Sequence, residues 1–359
     1  MHPSPASDAT IQLTVQDLAF GGKGVGRADG LAVFVPFVIP GESITARITK
    51  RKKKFAEAEL VSIDAPSPDR VEPRCPYFGP CGGCAYQHIR YERQLEIKAA
   101  QVEQTLRRVG HLQDVPIRPT IPSAREYEYR NRIRVHAEGE AIGFYRHDRH
   151  ELIDVAACPI AAPAVNEQLR ALRRSAACEG DYILNAQGRG EYFVQTNDGA
   201  ATAMLDLVRG LVSPAMKALV DAYSGAGFFA RELAPRFEHA TGIEENERAV
   251  EYARRKAGPN ESYVAGDVAL RLGEVLASFP AGETCLILDP PATGAAGRVL
   301  ELILGGRPAE IVYVSCNPAT LARDLEILCG TYNLASVTPL DMFPQTAEIE
   351  VIAHLVLPG

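Results

Sequence analysis

Strand-like runs alternate with helical ones through residues 206–359, and this alternation restricts the fold more than any other feature of the chain. Short apolar runs at 219–223, 240–244, 263–267, 286–289 and 311–315 are separated by segments of helical periodicity at 228–237, 246–256, 295–304 and 318–329. A strand that reaches a parallel neighbour needs a crossover, so the pattern predicts an α/β region with a parallel sheet and helices on both faces. Two further strand runs, 334–340 and 349–357, have no helix pattern between them. They predict an antiparallel hairpin that closes the sheet.

The earlier part of the chain has other rhythms. Short strand runs at 11–20, 32–38, 44–49 and 55–63, broken by Gly and Pro, predict a small barrel. Within it, Gly21-Gly22-Lys23-Gly24-Val25-Gly26 is followed by the strand-like Ala32-Val33-Phe34-Val35 and not by a helix, so it reads as a hairpin and not as a nucleotide loop. A stretch rich in proline and charge at 65–76 marks a linker. Leu95, Ala99, Val102, Leu106 and Val109 recur every three or four residues and predict a helix over 91–109, stopped by Gly110. Residues 117–195 read as an antiparallel mix with strands at 130–137, 141–145 and 192–195. Three domains are expected in the 359 residues: 1–63, 64–205 and 206–359. No apolar run is long enough to span a membrane, and the first ten residues lack a secretory pattern, so the expected setting is the cytoplasm and no membrane is expected as a partner. A monomer is expected.

The net charge is −7, which at first argues against nucleic acid, but the excess acid is C-terminal: residues 206–359 carry 12 Lys and Arg against 20 Asp and Glu. Arg47 and the unbroken run Lys50, Arg51, Lys52, Lys53 and Lys54 place six cations in eight residues with no acid among them. Such a local field attracts phosphate whatever the global sum, although a charged turn in solvent would look the same.

Open parallel sheets bind ligands at the carboxyl ends of their strands. Read in order, those ends are Asp221-Ala222-Tyr223-Ser224-Gly225-Ala226-Gly227, then Glu244, Asp267, Asp289-Pro290-Pro291 and Ser315-Cys316-Asn317-Pro318. Small residues at Gly225 and Gly227 let a ligand approach the backbone, and Glu244 follows at the distance where an acid meets ribose hydroxyls. A dinucleotide would usually ask for a third glycine where Ala230 stands. Acids on successive strand ends, Asp-Pro-Pro and the terminal hairpin fit S-adenosylmethionine better.

Together with Asp341-Met342-Phe343-Pro344-Gln345-Thr346 and Glu350, these motifs resemble the RNA uracil-5-methyltransferase family. Phe193, Gln195 and Asn197 are similar to its Phe-x-Gln-x-Asn motif, whose Gln contacts the cofactor. Residues 11–62 resemble the TRAM domain that begins many members. The resemblance implies a Rossmann-like class I methyltransferase domain at the C-terminus, an N-terminal OB-like barrel, and a central α+β iron–sulfur domain. It implies S-adenosylmethionine held by Gln195, Tyr223, Gly225, Gly227, Glu244, Asp267 and Asp289, and an RNA substrate, ribosomal or transfer. The chain departs from the family at Ser224, Phe228, Ala292 and Gln345, where Cys, Asn, Arg and His often stand.

Carbon 5 of uracil is a poor nucleophile. A thiolate that adds to carbon 6 turns carbon 5 into one, and a base must then remove the carbon 5 proton so that the thiol can leave. Cys316, just before the helix pattern at Pro318, supplies the thiol in a place where a helix N-terminus favours thiolate. Glu350 matches the family's base. Methylation of cytosine would use the same addition, and an RNA-binding or ribosome-assembly factor with weak catalysis could keep the same fold.

Cys75, Cys81 and Cys84 cluster, with Cys158 far downstream. Four thiolates suit zinc or an iron–sulfur cluster, and three clustered thiols plus one remote favour the cluster. Family members with this pattern carry [4Fe-4S], and a structural role is expected for it because methyl transfer needs no electron. Cys178, Cys285 and Cys329 have no such neighbours. The target uridine must be unpaired or flipped out to be attacked. Arg125, Arg130, Arg132, Arg134, Arg146 and Arg149, interleaved with Tyr127, Tyr129, Phe144 and Tyr145, offer phosphate contact and stacking, with Phe144 expected in the sheet core.

Overall fold

The computed structural model describes residues 10–175, 178–186 and 195–359. The chain forms two compact units. The first comprises residues up to Gln101, then Arg125–Gly188 and Phe343–Glu348; the second comprises Val102–Ala124, Arg189–Met342 and Ile349–Gly359. Phe193 and most of the strand expected at 192–195 lie outside the described residues.

The first unit opens with β1 (Thr10–Thr14), β2 (Asp17–Leu18), β3 (Lys23–Ala28), β4 (Leu31–Pro36), β5 (Ser43–Arg51) and β6 (Phe55–Ala65), in the sheet order β1-β5-β6-β4-β3-β2. Alternate residues point inward as a half-buried strand requires: Val33 and Val35 of β4 meet Ile44, Ala46 and Ile48 of β5 in one apolar core. The glycine-rich stretch is a hairpin as expected, and Lys23–Ala28 is itself a strand paired with β4. Gly24 and Gly26 line this core so closely that a Cβ on Gly24 would sit 2.2 Å from Val38.

After α1 (Tyr91–Val109) come β7 (Arg132–Glu138), β8 (Ala141–Tyr145), β9 (Leu152–Asp154), α2 (Pro163–Arg174) and β10 (Gly180–Asn185). The four strands form an antiparallel sheet ordered β10-β7-β8-β9. Val165 and Leu169 of α2 pack on Ile133, Val135 and Leu184 of that sheet. The helix expected at 91–109 is observed over those residues. Gly110 ends it where a Cβ would lie 2.6 Å from the Ala322 carbonyl oxygen.

The second unit contains α3 (Asp198–Leu211), β11 (Ala218–Ala222), α4 (Phe228–Leu233), β12 (His239–Glu244), α5 (Glu247–Lys256), β13 (Glu261–Ala265), α6 (Val268–Ala277), β14 (Thr284–Leu288), α7 (Gly297–Gly306), β15 (Glu310–Ser315), α8 (Pro318–Leu328), β16 (Asn333–Leu340) and β17 (Glu350–Val356). Its seven strands are ordered β13-β12-β11-β14-β15-β17-β16. The first five are parallel; β17 runs antiparallel to both β15 and β16, which is the predicted closing hairpin. Central strands β11, β14 and β15 are buried along their whole length, as a sheet covered on both faces demands. Among the described residues no helix is long and apolar enough to cross a membrane.

Candidate active site and thiol cavity

The carboxyl ends of the parallel strands lie level. Ala222 of β11 pairs with Ile243 of β12 and with Leu288 of β14, Leu288 pairs with Tyr313 of β15, and Glu244 pairs with Ala265. Tyr223, Glu244, Asp267, Asp289 and Cys316 therefore stand along one edge of one sheet. Tyr223 (φ 66°), Gly225 (φ 54°) and Gly227 (φ 85°) are left-handed, so the chain after β11 turns sharply back on itself. Around Gly225 nothing lies within 4 Å of where a Cβ would be, and this open face is where a ligand can lie against the backbone. At Gly227 the Tyr263 hydroxyl would be 2.6 Å from a Cβ, so only glycine fits.

The acids hold this edge in shape. Glu244 Oε2 accepts from the Gly225 N–H at 2.9 Å, and its Oε1 accepts from the Asn246 N–H at 2.8 Å. Asp221 Oδ2 accepts from the Ala230 N–H at 2.9 Å, while its Oδ1 is buried with no hydrogen-bond partner. Burial pushes the Asp221 carboxyl up to about 8, helped by the charges of Asp289 and Glu244. Burial likewise pushes Asp289 up to about 7. Ser224, where the family often has Cys, keeps a buried Oγ without a partner. Asp267 is exposed and caps α6 by accepting from the Ala269 N–H. A cradle of left-handed glycine backbone with orphaned polar atoms beneath it fits a nucleoside-bearing cofactor. Gln195 is half-buried two residues before Asn197, which caps α3 and donates to Ser123 Oγ at 2.9 Å and to the Met342 carbonyl at 3.1 Å.

Cys316 is exposed and Glu350 is buried. Ser315, the last residue of β15, pairs antiparallel with Val351. The same register carried one step further sets Cys316 across from Glu350, which begins β17. Asn317 then caps α8 by accepting from the Ala319 N–H, and its Nδ2 donates to the Ala292 carbonyl at 3.0 Å; Thr320 Oγ1 donates to the same oxygen at 3.2 Å. The loop after Asp289 is thus tied to the turn that carries Cys316 through the backbone of Ala292, a position whose side chain is absent from that bond. Asp324 completes the tie: buried, it accepts from the Ala295 N–H at 2.8 Å and from the Tyr313 hydroxyl at 2.6 Å. Asp324 was not singled out by sequence; an acid inside a helix pattern carries no mark of its burial.

In the first unit, Cys75, Cys81, Cys84 and Cys158 all line one cavity of ≈ 210 Å³, walled otherwise by Tyr77, Phe78, Ile133, Phe144 and the arginines Arg130 and Arg134. Burial raises all four thiols, Cys84 to about 12 and Cys158 to about 11, and for Cys81, Cys84 and Cys158 the charge of neighbouring thiols adds to the rise. Thiols raised in this way are protonated at neutral pH. Among the described residues no three His, Cys, Asp or Glu side chains form a group that could hold a metal ion, the four cavity thiols included, so the expected [4Fe-4S] site is not supported by this arrangement. Phe144 is partly buried against the sheet core. Tyr129, expected to offer stacking, is buried and donates its hydroxyl to the Pro344 carbonyl, so its ring is not free for a base. Arg146 and Arg149 are paired with Asp148 and Glu151.

The basic run falls at the tip of the β5–β6 hairpin. Lys50, Arg51, Lys52, Lys53 and Lys54 are all exposed, and among the described residues none of the five is ion-paired; Lys52 lies over the Phe55 ring. Arg47, by contrast, is paired with Glu59 across the strands at 2.6 Å. Arg132 is half-buried on β7, and Arg130 sits in the wall of the thiol cavity.

The strand order and the left-handed glycine loop above the first strand define a class I methyltransferase, a fold that works on S-adenosylmethionine. Residues 9–61 match the family model described as the TRAM domain, and residues 270–356 match that described as tRNA (Uracil-5-)-methyltransferase. A relative from Aquifex aeolicus, named an uncharacterized RNA methyltransferase, is 31% identical over 97% of this chain and 99% of its own length. One of the same description from Bdellovibrio bacteriovorus is 33% identical over 98% of this chain and 96% of its own. The crystal structure of the Pyrococcus abyssi tRNA (uracil-54, C5)-methyltransferase with S-adenosyl-L-homocysteine superposes with a TM-score of 0.72 at 25% identity, covering 96% of this chain and all of that one. The chain belongs to the RNA uracil-5-methyltransferase family and is an RNA methyltransferase. The alignment to the Aquifex relative runs to 427 positions, longer than this 359-residue chain, so that relative carries insertions that this chain lacks.

Proposed function

We propose that the chain methylates carbon 5 of a uridine in RNA, with Cys316 as nucleophile and Glu350 as base. The observation that supports this is the pairing of Ser315 with Val351, whose chain neighbours are the exposed Cys316 and the buried Glu350. Bound S-adenosylmethionine supplies an electrophilic methyl group. Gly225 would admit it to the backbone in the loop that Gly227 closes against Tyr263, Glu244 and Asp267 would meet its ribose, and Gln195, Tyr223 and Asp289 would border it. The Cys316 thiolate forms a bond to carbon 6, and carbon 5 takes the methyl group as the sulfonium bond breaks. Glu350 accepts the carbon 5 proton, the electrons restore the 5,6 double bond, and the bond to sulfur breaks to free Cys316.

Lys50 to Lys54, with Arg130 and Arg132, are the proposed phosphate contacts, and residues 1–63, 64–205 and 206–359 the proposed functional divisions. Cys75, Cys81, Cys84 and Cys158 would hold a [4Fe-4S] cluster; thiols spread around a cavity suit a cubane better than a single zinc. The Pyrococcus neighbour acts on transfer RNA, so unmodified transfer RNA is the first substrate to offer and ribosomal RNA the second.

The test is transfer of labelled methyl from S-adenosylmethionine to each RNA, followed by nucleoside analysis. We expect 5-methyluridine from the wild type. Cys316→Ala should give none, and Glu350→Gln should leave protein joined to RNA under denaturing conditions. Labelled 5-methylcytidine, or full activity in Cys316→Ala, would overturn the proposal.

A further inference from the structure

Residues Phe343–Glu348 belong to the first unit although they stand between two strands of the methyltransferase sheet. Three consecutive residues there bind three different partners. Gln345 is buried at φ 69°, and its carbonyl oxygen accepts from the N–H groups of Ala85 at 3.1 Å and Tyr86 at 2.9 Å, the two residues that follow Cys84. Pro344 presents its carbonyl to the Tyr129 hydroxyl at 3.0 Å. The Phe343 ring lies under the Arg130 guanidinium, 5.9 Å away. Tyr129 and Arg130 are in turn knitted to the chain beside Cys158: the Glu128 N–H donates to the Pro159 carbonyl at 3.0 Å, the Arg130 N–H to the Ile160 carbonyl at 2.8 Å, and the Ala162 N–H to the Arg130 carbonyl at 2.9 Å.

Two buried side chains of α1 hold the segment itself. Gln94 donates from Nε2 to Gln345 Oε1 at 3.0 Å and accepts the Gln345 N–H at Oε1 at 3.1 Å. Lys98, buried, donates to the Phe343 carbonyl at 3.1 Å.

We propose that Phe343, Pro344 and Gln345 clamp the Cys84 arm and the Cys158 arm of the thiol cavity together, with Gln94 as the residue that sets the clamp. On this reading Gln345 is a structural replacement at a family position often filled by His. The proposal rests on the cluster reading above for its ligand but not for its geometry. Positioning by the clamp has a signature that a general loss of stability lacks: it loosens Cys84 and Cys158 selectively.

The experiment uses the full chain, metal-free under reducing conditions and again after anaerobic loading with iron and sulfide. In the metal-free protein, Gln94→Ala should raise the alkylation rate of Cys84 about tenfold, the equivalent of one or two lost hydrogen bonds. Tyr129→Phe, which removes the bond to Pro344, should raise Cys158 about threefold on the same scale. Cys329, in the other unit, serves as control and should not change. After loading, both variants should lose iron and sulfide faster in air than the wild type. Unchanged rates at Cys84 and Cys158 in both variants, or an equal rise at Cys329, would overturn the clamp. A wild type that takes up no iron or sulfide would overturn the cluster reading instead, and the alkylation rates would still judge the clamp.

Discussion

Asp221 shows how a single residue is set for its place. Its carboxyl is wholly buried on the first strand, bonded through one oxygen to the start of α4, and pushed up to about 8. A carboxyl raised above its unfolded value favours folding while it is neutral, and that advantage is lost as pH rises from about 4 through about 8, because the unfolded chain then binds fewer protons than the folded one. The Asp221→Asn variant keeps an acceptor for the Ala230 N–H and cannot ionise. Its unfolding free energy should fall less between pH 5 and pH 8 than the wild type's, by on the order of a few kcal/mol, in urea denaturation at the two pH values. An identical fall in both proteins would rule this out. At this scale the sequence was legible where residue type and position coincide, as with Pro318, which starts α8 after the Asn317 cap. It was silent on Asp324, Gln94 and Lys98, because burial of a polar side chain is decided by what folds over it and leaves no local pattern.

Among elements, the glycine loop after β11 is the most tightly specified. Gly227 is left-handed and has the Tyr263 hydroxyl where a Cβ would be. Gly227→Ala should weaken S-adenosylmethionine binding at least about tenfold and destabilise the fold by about 1–3 kcal/mol, since both backbone strain and overpacking are introduced. Calorimetric titration and thermal unfolding check the two parts separately; wild-type affinity in the variant would show that the loop is not the cofactor cradle. The alternating strands and helices of the second unit were readable because each buries a continuous face. Helices α2, α3 and α6 and strands β9 and β10 were not read. Leu152–Asp154 has three residues, too few for a period to show. Helix α6, with the sequence Val-Ala-Leu-Arg-Leu-Gly-Glu-Val-Leu-Ala, is apolar on more than one side, so its stripe is blurred. The α3 cap at Asn197 and the Pro163 start of α2 were local signals of the right kind.

At the scale of the whole molecule, the net charge of −7 and the five exposed cations at the β5–β6 tip, none ion-paired among the described residues, make opposite statements about RNA, and the proposed contact follows the local one. Replacing Lys50, Lys52, Lys53 and Lys54 by Ala should weaken RNA binding uniformly across sequences. It should also lower the slope of log K against log salt by about 0.7 to 0.9 for each lost phosphate contact. An unchanged slope in filter binding across a salt series would place the RNA elsewhere. The outline of the molecule, a strand-rich start and an alternating end, was visible in sequence because composition and period change along the chain. The assignment of Phe343–Glu348 to the first unit was not, because it depends on a pairing between residues some 250 positions apart, such as Gln94 and Gln345. That pairing orders events in time. The ribosome adds Cys75, Cys81, Cys84 and Cys158 long before Phe343, so the first unit acquires its last segment later than an N-terminal domain ordinarily does. The contacts of Phe343, Pro344 and Gln345 with Ala85, Tyr86 and Tyr129 can therefore form only after the intervening sheet strands have been made.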